Sequence, residues 1–267
     1  MGKKQLVLTE LFEICRKRDG YVFDNDLVKK VCAKYGFKNP FDVTKIDNKK
    51  VLAPILIEND YAVIHLGSGK HQFVKNIDLV FHRFEQTELE IEWQYRKSIL
   101  NEYNTSESNI LSVANNQRIL HHFAFGEDKE FDDDDILKRP KTYFPHRTKT
   151  DLNYRFGRLG SVTLQHMQVE IDLTIEYQGN VCIFEAKNGR PETFSIYQIY
   201  HPFLYYHKAK ASDALLGKIS DIRAIYVVRQ IVQGVSQLKF WSYTFETPED
   251  ITSIKLLKSA CYKLIQQ

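Results

Sequence analysis

The sequence predicts an α/β protein. Three observations carry that expectation. Near the front, Leu6, Leu8, Leu11, Phe12 and Cys15 recur at the spacing of one helical face. In the middle, apolar and polar residues alternate through 169-VEIDLTIEY-177 and 181-VCIFEAK-187, on either side of Gln178-Gly179-Asn180. Further on, 222-IRAIYVVRQI-231 and 236-SQLKFWSYTF-245 read as two more strands, after a helical stretch rich in aromatics.

In the front third, Gly20 stops the first helix, 5–18. Asp24 can cap a second, 25-NDLVKKVCAKYG-36, with Leu27, Val28, Val31 and Cys32 inward. A short helix or turn follows Pro40. The segment 61-YAVIHLGSGKHQFV-74 then alternates around Gly-Ser-Gly, which signals a hairpin. Helix, helix, short helix, hairpin is the order of a winged-helix module, so residues 1–83 are expected to form a winged-helix-like domain that contacts DNA or protein. Lys70 and His71, at the hairpin tip, are its candidate DNA contacts. The string 67-GSGK-70 is not a phosphate loop, because the G-x-x-x-x-G-K-[ST] spacing is absent and His71 stands where Ser or Thr belongs.

A second domain, 84–267, is expected to hold the remaining elements. Residues 88–103 and 106–123 read as helices, with Ser106 capping the latter. The acidic run 127-EDKEFDDDD-135 reads as a solvated loop. Residues 139–161 read as an irregular segment that offers Arg155 and Arg158, among other basic residues, to phosphates or bases; Arg190 is a further candidate. A helix is expected over 191–208, and a last one over 249–267, packed on the outside.

Bulk properties narrow the function class. A chain of 267 residues with 43% hydrophobic, 13% aromatic and 27% charged residues has ample material for a core. No run approaches the roughly 20 apolar residues that cross a bilayer, and the opening residues fit neither a signal peptide nor a myristoylation motif. A cytoplasmic protein without membrane contact is expected. Cys15, Cys32, Cys182 and Cys261 lie among apolar neighbours without zinc-site spacing, as buried reduced thiols. The net charge is +3, but residues 1–83 carry 15 Lys and Arg against 10 Asp and Glu, a front end suited to a polyanion.

The charged residues inside the central hairpin call for an explanation. Asp172 and Glu185 come close together when the two strands pair about Gly179. One reading makes them solvated strand residues. The other gives them a cation, since two adjacent carboxylates repel unless one sits between them. Hard oxygen donors of this kind suit Mg²⁺. Lys187, two residues after Glu185, points to the same side, where an ammonium can orient water and offset phosphate charge.

Asp172, twelve residues, then Glu185-Ala186-Lys187 resembles the signature of the PD-(D/E)XK nuclease superfamily, with Ile171 in place of the usual Pro. The stretch 191-PETFSIYQIYHPFLYYHK-208 resembles the helix that follows this motif in bacterial type II restriction endonucleases, with Gln198 as its polar residue. Glu107, in 107-ESNIL-111, matches the helix that supplies an extra Glu, and Gln168 and Glu170 lie in a region similar to the restriction-enzyme version of the motif. The resemblance covers about residues 100–245. It implies a restriction-endonuclease-like core, a mixed central sheet flanked by helices. It also implies a catalytic set of Asp172, Glu185, Lys187, Glu107 and Gln198, with Mg²⁺ held by Asp172, Glu185 and the Ala186 carbonyl.

The function expected on this basis is that of a type II restriction endonuclease. It would cut double-stranded DNA at a short sequence with Mg²⁺, leave 5′-phosphates, act as a homodimer, and work beside a cognate DNA methyltransferase. A repair or mobile-element nuclease with the same core remains open, as does a non-catalytic DNA-binding regulator.

Overall fold

The computed structural model describes residues 2–100, 106–126 and 139–266. The expected acidic loop at 127–135 lies outside the described residues. The fold is α/β, with mixed sheets and helices. It opens with α1 (Lys3–Lys17), β1 (Val22–Asp24), α2 (Asn25–Tyr35), α3 (Pro40–Val43) and α4 (Pro54–Glu58), followed by the hairpin β2 (Tyr61–Gly67) and β3 (Lys70–Lys75). The expected cap is in place: Asp24 accepts the Leu27 N–H at 2.9 Å, and Gly36 ends α2 in the left-handed conformation.

The hairpin does not stand alone. Its tip meets the middle of the chain, where β7 (His146–Arg155) and β8 (Ser161–Ile171) form an antiparallel ribbon after β4 (Phe81–Arg83), β5 (Leu89–Tyr95), α5 (Glu107–Asn116), α6 (Ile119–Phe125) and β6 (Lys141–Tyr143). The resulting sheet runs β1-β3-β2-β8-β7, joined by the parallel contact Gly67↔Gln165. Only glycine fits there. Gly67 has φ +76°, and a Cβ on it would lie 2.0 Å from the Gln165 carbonyl oxygen.

At Asp172 the chain bends, leaves β8 and enters β9 (Leu173–Tyr177) in a second sheet. This sheet is completed by β10 (Asn180–Asn188), then, after β11 (Thr193–Ser195) and α7 (Tyr197–Ser212), by β12 (Asp221–Val232), β13 (Val235–Phe245) and β14 (Ile254–Gln266). Its order is β5-β14-β13-β12-β10-β9-β6, with β10–β12 and β14–β5 parallel and the other pairs antiparallel. Side chains alternate between its two faces. Ile183, Tyr226, Trp241 and Tyr243 face a core shared with α7 and the front helices. Cys182, Phe184, Ala186, Val227 and Phe240 face a second core under α5 and α6.

The alternation expected across 169–177 survives in burial except at Thr174, which is buried, but not in direction. Val169 and Ile171 belong to the first core, Leu173 and Ile175 to the second, because the strand changes sheets at Asp172. Other expectations need correction. Residues 89–95, expected helical, form β5; 89-LEIEWQY-95 places Leu, Ile, Trp and Tyr at period two along the strand that pairs with β14. The outer helix expected at 249–267 is instead β14, between β13 and β5, with Ala260, Cys261 and Tyr262 buried. Its helix-like apolar spacing is overruled by two strand partners that no local pattern announces. The irregular segment at 139–161 contains β6 and β7, whose mostly polar residues cover an exposed face. The helix at 106–123 breaks at Arg118, φ +61°, into α5 and α6.

All four cysteines are buried and free. Among the described residues no helix is long and apolar enough to cross a membrane. His71 is not the exposed tip residue expected. It is buried, facing His65 at 3.1 Å between Nδ1 atoms and Asn25 Oδ1 at 2.9 Å. Burial, then the neighbouring His65, pushes its pKa down to about 3. Burial likewise pushes His201, 3.1 Å from the Tyr154 hydroxyl, down to about 3. Lys70 is exposed at the tip, as expected.

Two outcomes follow for stability. Gly67→Ala should cost about 2–3 kcal/mol in urea denaturation, through the left-handed backbone and the backbone clash; unchanged stability would mean that β2 and β8 do not abut. His201 binds a proton near pH 6.5 when unfolded and far lower when folded, so its contribution is complete above 6.5 and is lost as pH falls toward 3. Between pH 7.5 and 5.5, wild type should therefore lose about 1.4 kcal/mol more stability than His201→Gln. Equal losses would show that His201 titrates normally in the fold.

Candidate functional site

The bend at Asp172 is held by its own side chain. β9 and β10 pair through Phe184↔Leu173, so Asp172 stands opposite Glu185 just beyond the last pair. There the Asp172 Oδ2 accepts the Ala186 N–H at 3.2 Å, replacing a backbone partner that the departing strand no longer supplies. Because N–H and C=O of one strand residue face the same edge, the Ala186 carbonyl is turned toward the same side as Asp172.

Glu185 and Lys187 project from β10 toward α7. Lys187 Nζ lies 2.8 Å from Glu185 Oε1 and 2.7 Å from Glu107 Oε1, at the first turn of α5. Ser106 caps that helix through the Asn109 N–H at 3.2 Å, which fixes the turn that carries Glu107. From α7, Gln198 donates Nε2–H to Glu185 Oε1 at 3.1 Å. Its own carbonyl oxygen accepts the Tyr226 hydroxyl at 3.2 Å. Tyr226 lies beside Glu185 in the parallel β10–β12 register, and this position decides its role. The period-two pattern of residues 222–231 predicts a strand but not which residue stands next to Glu185.

All five expected catalytic residues thus converge: Asp172, Glu185, Lys187, Glu107 and Gln198. They line one open cleft of about 420 Å³ together with Gln168, Glu170 and Tyr197. The opposite wall comes from the front of the chain, with Phe41, Lys45, Asp47 and His65. Sequence reasoning names none of these four as site residues. The backbone ties this wall down, since the Ser195 N–H donates to the Asp47 carbonyl at 2.9 Å and the Tyr197 hydroxyl to the Ile46 carbonyl at 3.1 Å.

Burial pushes the Glu185 carboxyl up to about 8, Asp172 and Glu107 add to the rise, and Lys187 opposes it. Burial pulls Lys187 down, but the two carboxyl groups it touches outweigh that and hold its pKa above the ordinary lysine value. The cleft therefore keeps the Lys187 ammonium, and its carboxyl groups, Asp47, Glu107, Glu170, Asp172 and Glu185, outnumber its two lysines, Lys45 and Lys187.

Among the described residues no group of three or more His, Cys, Asp or Glu side chains is gathered as a metal site. The donors at hand are two carboxylates and one carbonyl. Such a set fits Mg²⁺, which keeps several of its waters and takes only one or two protein carboxylates, better than it fits Zn²⁺, which asks for four protein or three protein-plus-water ligands rich in N or S.

The remaining candidates lie apart from the cleft lining. Arg155 is exposed and 3.8 Å from Asp250. Arg158 is exposed on the turn between β7 and β8. Arg190 is exposed and donates to the Ile231 carbonyl at 2.9 Å.

No curated protein and no solved structure matches the chain. Two families do. Residues 5–73 match a domain of unknown function, DUF6996, and residues 77–263 match a second, DUF6997. With more than half of its length inside that second match, the chain belongs to the family described as domain of unknown function DUF6997.

Proposed function

We propose that the protein is a Mg²⁺-dependent deoxyribonuclease of the PD-(D/E)XK type, acting in the cytoplasm as a type II restriction endonuclease on double-stranded DNA. The observation that carries this reading is the meeting of Asp172 and Glu185 on neighbouring strands, with Lys187 Nζ 2.8 Å from Glu185. Support for the fold assignment comes from the hairpin-plus-helix arrangement β9–β10–α7 inside a mixed sheet with helices on both faces. The order α1, β1, α2, short helices, β2, β3 supports a winged-helix reading of residues 1–83.

Bound at Asp172, Glu185 and the Ala186 carbonyl, Mg²⁺ would lower the pKa of water and offset charge on the scissile phosphate. The chain's own groups do the rest. Lys187, anchored between Glu107 and Glu185, presents its ammonium to the attacking water and to the phosphoryl oxygens, where negative charge grows in the transition state. Gln198 fixes the rotamer of Glu185, and Tyr226 fixes Gln198. Lys45, across the cleft, offers a positive charge to the backbone of the same strand. In-line attack by water leaves a 5′-phosphate and a free 3′-hydroxyl. Two chains related by a two-fold axis would cut both strands of a palindrome, and a methyltransferase of the same specificity would protect host DNA.

Unmethylated phage DNA with Mg²⁺ should give discrete fragments, and chelation should stop the reaction. Asp172→Ala and Lys187→Ala should each lower the cleavage rate about a thousandfold or more, while gel-shift binding of DNA persists. Wild-type rates in either variant would overturn the assignment; a smear instead of bands would favour a repair or mobile-element nuclease.

Tyr226→Phe removes one hydroxyl from the chain of contacts behind Glu185. Its kcat should fall about ten- to hundredfold with KM and thermal midpoint unchanged. A KM effect alone would remove Tyr226 from the positioning role.

A further inference from the structure

We infer that the β7–β8 ribbon reads base edges, through Gln168 and Arg147, a few base pairs from the cut. The inference rests on the nuclease reading above. β8 is the strand that delivers Asp172, and Gln168 and Glu170 precede it at four and two residues, lining the same cleft. Across the ribbon Arg147 pairs with Glu170 and Lys149 with Gln168. These four side chains share the ribbon's outer face, whereas Val169 and Ile171 between them are buried in the core. β7 is the end strand of its sheet, so the face has an open flank. A two-stranded ribbon with one polar face is an element that the major groove admits.

The polar groups are already aligned. Gln168 donates Nε2–H to Glu170 Oε1 at 2.6 Å, and Arg147 Nε lies 3.1 Å from the same oxygen. Glu170 thereby turns both side chains outward and uses only part of each. The far edge of the Arg147 guanidinium, a side chain 73% exposed, keeps a fork that matches guanine O6 and N7. Gln168 keeps its carbonyl oxygen and one N–H, the pair that matches adenine N6 and N7. Lys149 has no such fork and suits a phosphate. The ribbon's twist is set nearby by a register shift between Thr150 and Leu152, where Asp151 Oδ1 accepts the His166 N–H at 2.7 Å and His166 takes φ +50°.

The strand's rise gives a distance. At about 3.3 Å per residue, Glu170 stands about 7 Å and Gln168 about 13 Å along the strand from Asp172. With about 3.4 Å per base pair, the specified bases lie about two to four pairs from the scissile phosphate.

The test maps cleavage ends by sequencing on unmethylated phage DNA, for wild type, Gln168→Ala, Arg147→Lys and Lys149→Ala, with thermal unfolding as the check on folding. Gln168→Ala and Arg147→Lys should each relax one position of the recognition sequence within about four base pairs of the cut. kcat/KM at the wild-type site should fall about ten- to hundredfold, with a much smaller fall at sites altered in that position. Arg147→Lys keeps its charge, so the salt dependence of binding should not change. Lys149→Ala should weaken all sites alike. An unaltered recognition sequence in both Gln168→Ala and Arg147→Lys overturns the inference, as does a uniform loss of rate at every site. Wild type cutting without any sequence preference overturns it and leaves the nuclease reading standing. A wild-type protein that does not cut removes both.

Discussion

The arrangement of the site depends on one hydrogen bond, from the Ala186 N–H to the Asp172 carboxylate. A strand that leaves a sheet abandons its neighbour's amide, and an unpaired amide in a half-buried place is costly. The side chain that stands at the departure supplies the missing acceptor. The same group that repairs the ladder therefore holds an acidic oxygen beside Glu185. In this chain the structural need and the chemical opportunity fall on one residue. Asp172 is thus more than a strand aspartate turned to solvent.

Around that bond the site is assembled from every part of the fold. Glu107 comes from α5 under one core, Gln198 from α7 in the other, and Tyr226 from the strand parallel to β10. Lys45 and Asp47 come from the front of the chain, stitched to the end of β11 and the start of α7 by the Ser195 N–H on the Asp47 carbonyl and the Tyr197 hydroxyl on the Ile46 carbonyl. A partly buried ammonium between two carboxyl groups stays in one position only where surrounding packing keeps all three in place. The core shared by the front helices, β8 and α7 provides that packing.

Much of this is legible in the sequence, and the residues show where legibility stops. Asp172, Glu185 and Lys187 are readable because a turn at Gly179 and a period of two fix their relation locally. Glu107 and Gln198 are readable only through resemblance, and the structure brings both to Lys187 and Glu185. Tyr226 is not readable, because a parallel register spans a crossover that local pattern does not encode. His71 is misplaced by the sequence pattern because Gly-Ser-Gly announces a turn without saying what packs on it; Asn25 and His65 do. The last strand reads as a helix because Ile254, Leu257, Ala260, Cys261 and Leu264 repeat at helical spacing. Its neighbours β13 and β5 decide otherwise.

The β5–β14 pairing also shapes how the chain reaches this state. Lys263 and Glu90, joined at 2.7 Å across these strands, are 173 residues apart. Closing so long a loop costs entropy before any contact compensates, and sheets built on such pairings form slowly. Until β14 docks, β13 presents an unpaired edge and β5 has no partner in the sheet. Both are then open to association with other chains. Crowded, rapid expression would thus divert this protein toward aggregates at the folding step.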